Sequence, residues 1–278
     1  MIDALKLAFG TLSVLPVGAP GTVDRRVAGR AMTLAPLVGL VIGGIAAAVV
    51  YGVDRLKPEA PLLSAVIGVV VLVALSGALH LDGLADTADG FGSRRDRETK
   101  LRIMKQSDIG PFGVVSIAAV LLIDVAALQA CLQNGFGWQA MLIAGVASRL
   151  TLPWSCRTSV PSARPDGLGA TVAGTVHPYA AALVTLISIA TAASLGWLTG
   201  QGWGTRGSGD TWLTHSVGTP ALLVTVIGSA SAILIAVLLA FAATRRTRTA
   251  LGGITGDTLG ATVELALPLT LLTLALTT

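Results

Sequence analysis

Residues 61–90 read PLLSAVIGVVVLVALSGALH (61–80) and then LDGLADTADG (81–90). The first twenty are apolar and long enough to cross about 30 Å of hydrocarbon. The next ten place Asp82, Asp86 and Asp89 within eight residues, in a chain where charge is scarce. On a helix each residue advances about 100°, so positions i, i+4 and i+7 share a face. Three carboxylates on one face repel each other unless a cation sits among them. Such hard oxygen ligands suit Mg²⁺ or Mn²⁺. A bare acidic loop between two membrane helices would be read as solvated. Here the spacing, the flanking glycines and the basic run that follows favour a metal site.

Outward from this stretch the chain stays apolar. Of 278 residues, 53% are hydrophobic and 12% charged; mean hydropathy is +0.77. Soluble domains carry roughly 25% charged residues. The composition therefore implies an all-α, polytopic integral membrane helix bundle, one transmembrane domain over residues 1–278. Thirty-three glycines fit close helix packing in lipid. Cys131 and Cys156 lie in or beside apolar segments, without a CxxC or Cys/His cluster, and read as packing residues. Residues 1–17 lack the pattern of a cleavable signal peptide. Residues 2–15 are too short to span and read as an interfacial or re-entrant helix ending at Pro16. Seven spans are expected, at about 31–53, 60–80, 111–132, 138–157, 178–200, 219–243 and 258–276. The fourth carries Arg149 and Pro153, and the seventh opens at Asp257.

Lys and Arg set the expected orientation. Lys6, Arg25, Arg26 and Arg30 precede the first span. Arg94, Arg95, Arg97, Lys100, Arg102 and Lys105 lie between the second and third. Arg157 and Arg164 follow the fourth; Arg245, Arg246 and Arg248 follow the sixth. These loops fall on one face and hold 15 of the 19 basic residues. That face is expected to be cytoplasmic, with the N-terminus inside and the C-terminus outside. Trp138, Trp197, Trp203 and Trp212 then fall near the outer boundary as an aromatic belt. Residues 202–216 read as an outer loop, and His177 and His215 as loop histidines without a role.

The chemistry concentrates in residues 80–113, HLDGLADTADGFGSRRDRETKLRIMKQSDIGPFG. Acid comes first, then glycine, then base. A divalent ion held by Asp82, Asp86 and Asp89 can bridge phosphate oxygens and stabilise a departing phosphate. Arg94, Arg95, Arg97, Lys100, Arg102 and Lys105 are candidates to clamp remaining phosphates. Each also meets the general preference of cytoplasmic loops for Lys and Arg, which by itself explains most basic loop residues. His80 reads as an orienting group or base rather than a ligand, since Mg²⁺ prefers oxygen. Near the C-terminus, Asp257 opens a helix after glycines, where exposed N–H groups favour anions. Glu264 lies about 10 Å deeper in the span. Asp124, Arg149 and Glu264 are intramembrane charges, read as functional or as structural pairs between helices.

These motifs resemble the cobalamin-5'-phosphate synthase family, the adenosylcobinamide-GDP ribazoletransferases. Its HxDGLADTxDG pattern stands at His80–Gly90, followed by a basic patch and the IM(K/R)xSxxGxFG stretch at Ile103–Gly113. GGxTGDxxGA stands at Gly252–Ala261. A weaker Arg…GLG loop stands at Pro161–Gly169, and an N-terminal motif at Ser13–Val17. Gln106 and Asp108 depart from the acidic and basic residues common there, and Val14 replaces an Arg. The resemblance runs the length of the chain. It implies a bacterial inner (cytoplasmic) membrane enzyme whose partners are adenosylcobinamide-GDP, α-ribazole or its 5'-phosphate, and the lipid bilayer. The ribose hydroxyl would attack the cobinamide-linked phosphorus and release GMP, with Asp257 as a further catalytic residue. The sequence calls for no nucleic acid, and neither requires nor excludes an oligomer. One alternative is a CDP-alcohol phosphotransferase, whose DGxxAR…GxxxDxxxD pattern is only partly present. The other is a transporter using Asp124, Arg149 and Glu264; no internal repeat supports it.

Overall fold

The computed structural model describes residues 1–200 and 219–278, which fold as helices joined by turns and longer loops. In chain order these are α1 (Ile2–Leu12), α2 (Arg25–Thr33), α3 (Ala35–Leu56) and α4 (Pro61–Leu75). Next come α5 (Leu79–Gly92), α6 (Arg97–Ile103), α7 (Pro111–Gln133) and α8 (Gly137–Ser155). The last four are α9 (Gly167–Val172), α10 (Pro178–Gly200), α11 (Thr219–Leu251) and α12 (Gly256–Thr277). No strand occurs among the described residues, only isolated bridges such as Ser162 to Ile254. The outer-loop reading of 202–216, with Trp203, Trp212, Arg206 and His215, lies outside the described residues.

The run expected as one span over 60–80 is broken. Helix α4 ends at Leu75, and α5 leaves at 88° to it. Gly77 stands at φ +63° and Ala78 at φ +56°. The Ala78 N–H donates to the Val73 carbonyl at 3.0 Å, and the Gly77 N–H to Ala74 at 3.1 Å. This is the Schellman pattern, which satisfies the last carbonyls of a helix and turns the chain. Apolarity continues through the turn, so hydropathy alone reads straight across it. The N-terminal segment braces the corner: the Val14 N–H donates to the Leu75 carbonyl at 2.9 Å. The acidic stretch is therefore a helix lying across the bundle, not a loop at the foot of a span.

Helices α3, α7, α10, α11 and α12 are each long and apolar enough to cross a membrane; the bent pair α4–α5 makes six if it counts as one crossing. Helix α8, expected as a span, sits at the centre, packed by α3, α10, α11, α12 and α7. Most of its residues are buried, Arg149 included. Gly39 and Gly43 of α3 meet Gly145 of α8 backbone to backbone, and a Cβ at Gly39 would collide with the Gly145 carbonyl. This is the small-residue packing that association in lipid relies on. Helix α11 runs 33 residues, roughly 50 Å, so its last turns carry Arg245, Arg246 and Arg248 past the hydrocarbon. The protein is a helical membrane protein.

The two ends of the bundle differ in charge. Arg157, Arg245 and Arg248 line one cleft. Arg25 donates to the Ala170 and Ala173 carbonyls at 2.9 and 2.6 Å, which ties the N-terminal arginines to the same end. Tyr51, Arg55, Trp138 and Thr199 line a groove together that belongs to the opposite ends of α3, α8 and α10. The basic loops thus gather at one end of the molecule, as the charge count requires.

Candidate active site

Helix α5 carries the acids because its sequence allows a close neighbour. Gly83 sits against the backbone of Asp257, where a Cβ would come 2.7 Å from the carbonyl oxygen. Gly260 approaches His80 from the other side, where a Cβ would come 3.3 Å from the His80 Cα. The two glycines let the start of α12 lie on α5. Thr255 caps α12 through a reciprocal box with Thr258. Asp257 then stands in the first turn, where a negative charge is favoured.

Three separate motifs meet here. The Ala163 N–H donates to the Ile254 carbonyl at 2.9 Å, and the Ile254 N–H to Pro161 at 3.0 Å. Gly169 of α9 abuts the Thr255 backbone. This pairing brings Arg164 to Asp257, Nη1 to Oδ2 at 3.2 Å, while its Nη2 donates to the Leu101 carbonyl at 2.9 Å. Arg164 entered the sequence reading as a topology charge and within the weaker Arg…GLG motif, with no role given. Its signal was its place three residues ahead of Gly167-Leu168-Gly169, inside the weaker motif.

Asp82, Asp86 and Asp89 share a face of α5, and the structure gives each a different setting. Asp82 is exposed. Asp86 is half-buried. Helix α5 is not by itself among the helices long and apolar enough to cross a membrane, and Asp86, near its far end, is read as lying outside the spanning segments. Burial first, then Asp82, Asp257 and Asp89, push its carboxyl up to about 6, against a smaller pull from Arg164. These carboxylates therefore form one electrostatic group. Asp89 has other duties: Oδ2 accepts from the Gly110 N–H at 2.7 Å and Oδ1 from the Gly113 N–H at 3.0 Å. It caps α7 from outside that helix. Gly110 and Gly113 leave its carboxylate room to do so.

The donor set is all hard oxygen, the ligand type that Mg²⁺ and Mn²⁺ prefer. Among the described residues no group of three or more His, Cys, Asp or Glu side chains is arranged so that it could hold a metal ion by itself. An ion here would draw other ligands from water and a phosphate, as Mg²⁺ commonly does.

His80 is buried, at 2% exposure. Its Nδ1 lies 3.4 Å from Nη2 of Arg149. Arginine only donates, so Nδ1 accepts and the proton sits on Nε2, which has no partner. Arg149 also donates to Ser148 Oγ at 2.9 Å. Among the described residues Arg149 and Glu264 form no ion pair; the Arg149 guanidinium contacts Ser148 and His80. Both carboxylate oxygens of Asp124 are buried without a hydrogen-bond partner.

The basic run is divided in its contacts. Arg97 donates from Nε to the Leu251 carbonyl at 2.6 Å and from Nη2 to Ala163 at 2.8 Å. It fastens α6 to the end of α11 and to the Arg164 loop. Lys100 and Arg246 face the Phe91 ring at 6.0 and 5.6 Å. Lys105 lies 3.7 Å from Asp166, both well exposed, where such a pair contributes little. Arg94, Arg95 and Arg102 are exposed at the edge. Gln106 is exposed, and Asp108 accepts from the Ser107 hydroxyl at 3.1 Å.

A cavity of about 190 Å³ opens beside the acids, with Asp82, His80 and Asp257 among its lining residues. Thr11 and Leu12 of α1 also line it. The sequence assigned no role to that segment.

Comparison with known proteins finds relatives along nearly the whole chain. A relative from Frankia casuarinae, named adenosylcobinamide-GDP ribazoletransferase, is 41% identical, covering 100% of this chain and 95% of its own. Relatives of the same name from Nocardioides sp. and Pseudomonas paraeruginosa are each 38% identical, covering 98% and 99% of this chain and 98% of their own lengths. No solved structure matches. The family described as Cobalamin-5-phosphate synthase matches residues 4–275, a range that takes in α5, the Arg164 loop and the start of α12 together, and the chain belongs to that family.

Proposed function

We propose that this membrane protein joins α-ribazole, or its 5'-phosphate, to adenosylcobinamide-GDP, giving adenosylcobalamin or its phosphate and GMP. The observation that carries the reading is the meeting of α5, the Arg164 loop and α12 at one group of carboxylates beside a cavity. A ribose hydroxyl oxygen forms the new bond to the cobinamide-linked phosphorus. The bond from that phosphorus to the bridging oxygen breaks, and GMP leaves with the electron pair. Asp82 or Asp257, both at the cavity wall, accepts the hydroxyl proton. His80 positions rather than accepts, because its free nitrogen already carries hydrogen.

Asp82, Asp86 and Asp89 would hold Mg²⁺ or Mn²⁺, and Asp257 would add its charge to the same group. When bound, such an ion supplies charge neutralisation at the diphosphate. The exposed cations Arg94, Arg95 and Arg102 are placed to attract the leaving nucleotide, and Lys100 and Lys105 to border it. Arg97 keeps this edge in position. The same reading places the protein in the bacterial inner membrane, with the basic end and the site cytoplasmic and the C-terminus outside.

The test is transfer by purified protein in detergent with both substrates and Mg²⁺, following GMP release and cobalamin formation. Asp82→Asn, Asp86→Asn and Asp257→Asn are each expected to lower the rate about 100-fold or more, in the range of lost electrostatic catalysis. Wild-type rates in all three normally folded variants would falsify the assignment of the site.

A further inference from the structure

Helix α11 leaves the hydrocarbon with one face uncovered. Leu234, Leu238 and Phe241 are 47%, 66% and 39% exposed, and their spacing of four and then three residues puts them on one stripe. The next positions on that stripe are Arg245 and Arg248, so the apolar face ends in two cations. Neither guanidinium has a hydrogen bond or an ion pair among the described residues.

Arg157, just past the end of α8, meets them. Its Nη1 donates to the Trp154 carbonyl at 2.7 Å, and its guanidinium lies 4.5 Å from the centre of the Phe241 ring. Phe241 in turn packs on Trp154, with ring centroids 5.1 Å apart. With Arg245 and Arg248, Arg157 lines a cleft of about 760 Å³ whose described lining holds no acid. Burial, then the charge of Arg248, lower the Arg157 pKa from its ordinary value. Like charges around one concavity are relieved by an anion among them. The charge bias of membrane loops explains arginines at this end. It does not explain why one of them is held, half-buried, over an aromatic ring and against its neighbour.

The cleft is separate from the carboxylates. No residue lines both it and the cavity beside Asp82 and Asp257, and Arg246 turns away from it to the Phe91 ring. Position and charge narrow the occupant. A soluble phosphate would need cations alone. Here the cations head a stripe that faces lipid tails, so a phosphate among them is matched by chains lying along Leu234 and Leu238. Basic pockets between helix ends at a membrane surface suit anionic lipid headgroups. A choline or ethanolamine headgroup would bring its own cation to a lining that offers it no acid.

We propose that this cleft binds an anionic phospholipid, with the phosphate among Arg157, Arg245 and Arg248 and the acyl chains along the exposed stripe of α11. The site does not depend on the reaction given above. Native mass spectrometry of the full chain in detergent, titrated with phosphatidylglycerol or with phosphatidylcholine of the same chains, reads binding lipid by lipid. Wild type is expected to bind the first phosphatidylglycerol about tenfold more tightly than phosphatidylcholine, on the scale of several basic residues at an anionic surface. Arg245→Gln combined with Arg248→Gln should abolish that preference. Arg246→Gln, on the same turn but facing Phe91, should keep it. Inorganic phosphate in large excess should leave bound phosphatidylglycerol in place. Equal wild-type affinity for the two lipids would overturn the site without any variant having to fold. An undiminished preference in the double variant, or its equal loss in Arg246→Gln, would overturn it too. Displacement by inorganic phosphate would make the cleft a site for soluble phosphates and sink the lipid.

Discussion

Asp86 is where chemistry and stability are tied most closely. Its carboxyl is raised to about 6, by burial and then by Asp82, Asp257 and Asp89. A raised carboxyl favours the fold while protonated. Its contribution is full below the unfolded value near 4 and is lost as pH rises through about 6. In chelator-treated detergent solution, the protein should melt higher at pH 5.5 than at pH 7.5 in the Asp86-dependent part of its profile. Asp86→Asn should remove that part, and added Mg²⁺ should raise Tm more at pH 7.5 than at pH 5.5. Superimposable wild-type and Asp86→Asn profiles would show the carboxylates to be uncoupled. Asp89 is expected to behave otherwise. Its oxygens cap Gly110 and Gly113, so Asp89→Ala should cost about 1–2 kcal/mol of stability on the scale of a lost cap. Asp86→Ala should show no comparable loss, and denaturant titration of both variants decides the point. The spacing of the three acids was legible in the sequence. The division of their duties was not, because it depends on amides 21 to 24 residues away. Arg164 was hidden for a similar reason: its partner Asp257 is 93 residues on.

At the scale of elements, the contact of α5 with α12 decides whether the carboxylates form one group. Gly83→Ala would place a Cβ 2.7 Å from the Asp257 carbonyl, a contact that the backbones must part to relieve. The variant is expected to insert and fold, since α5 contacts α7 as well. Its transfer rate should nevertheless fall at least tenfold, as catalysis tolerates little displacement. A wild-type rate in this variant would mean that Asp257 works at some distance from α5. Most helices were legible because apolar length is a strong signal. The corner at Ser76-Gly77-Ala78 was not, since glycine and alanine are as common inside membrane helices as at their ends. The long extension of α11 past residue 243 was missed because its arginines read as loop, although a helix can carry them out of the lipid.

For the whole molecule, charge gives the arrangement that one experiment can orient. The basic segments share one end, and Glu59 and Lys57 stand exposed in the turn between α3 and α4 at the other. Cys131 and Cys156 are fully buried, so an added surface cysteine is labelled against a quiet background. In spheroplasts, Glu59→Cys is expected to react with an impermeant maleimide, and Arg95→Cys only after permeabilisation. The opposite pattern would invert the orientation.

The seating of α12 on Gly83 also has a temporal side. The chain is made from its N-terminus, so α5 enters the membrane region with its three acids well before residue 257 exists. Arg164 arrives next, still without its carboxylate partner. Only the last helix brings Asp257, the neighbour of Gly83, and closes the cavity wall with Leu259 and Gly260. Until then the acids of α5 lack the neighbour that the folded protein sets against them. On the proposed assignment, a chain released before residue 256 would keep every acid of α5 yet lack Asp257 and the cavity wall of α12, so transfer is expected only once synthesis is complete.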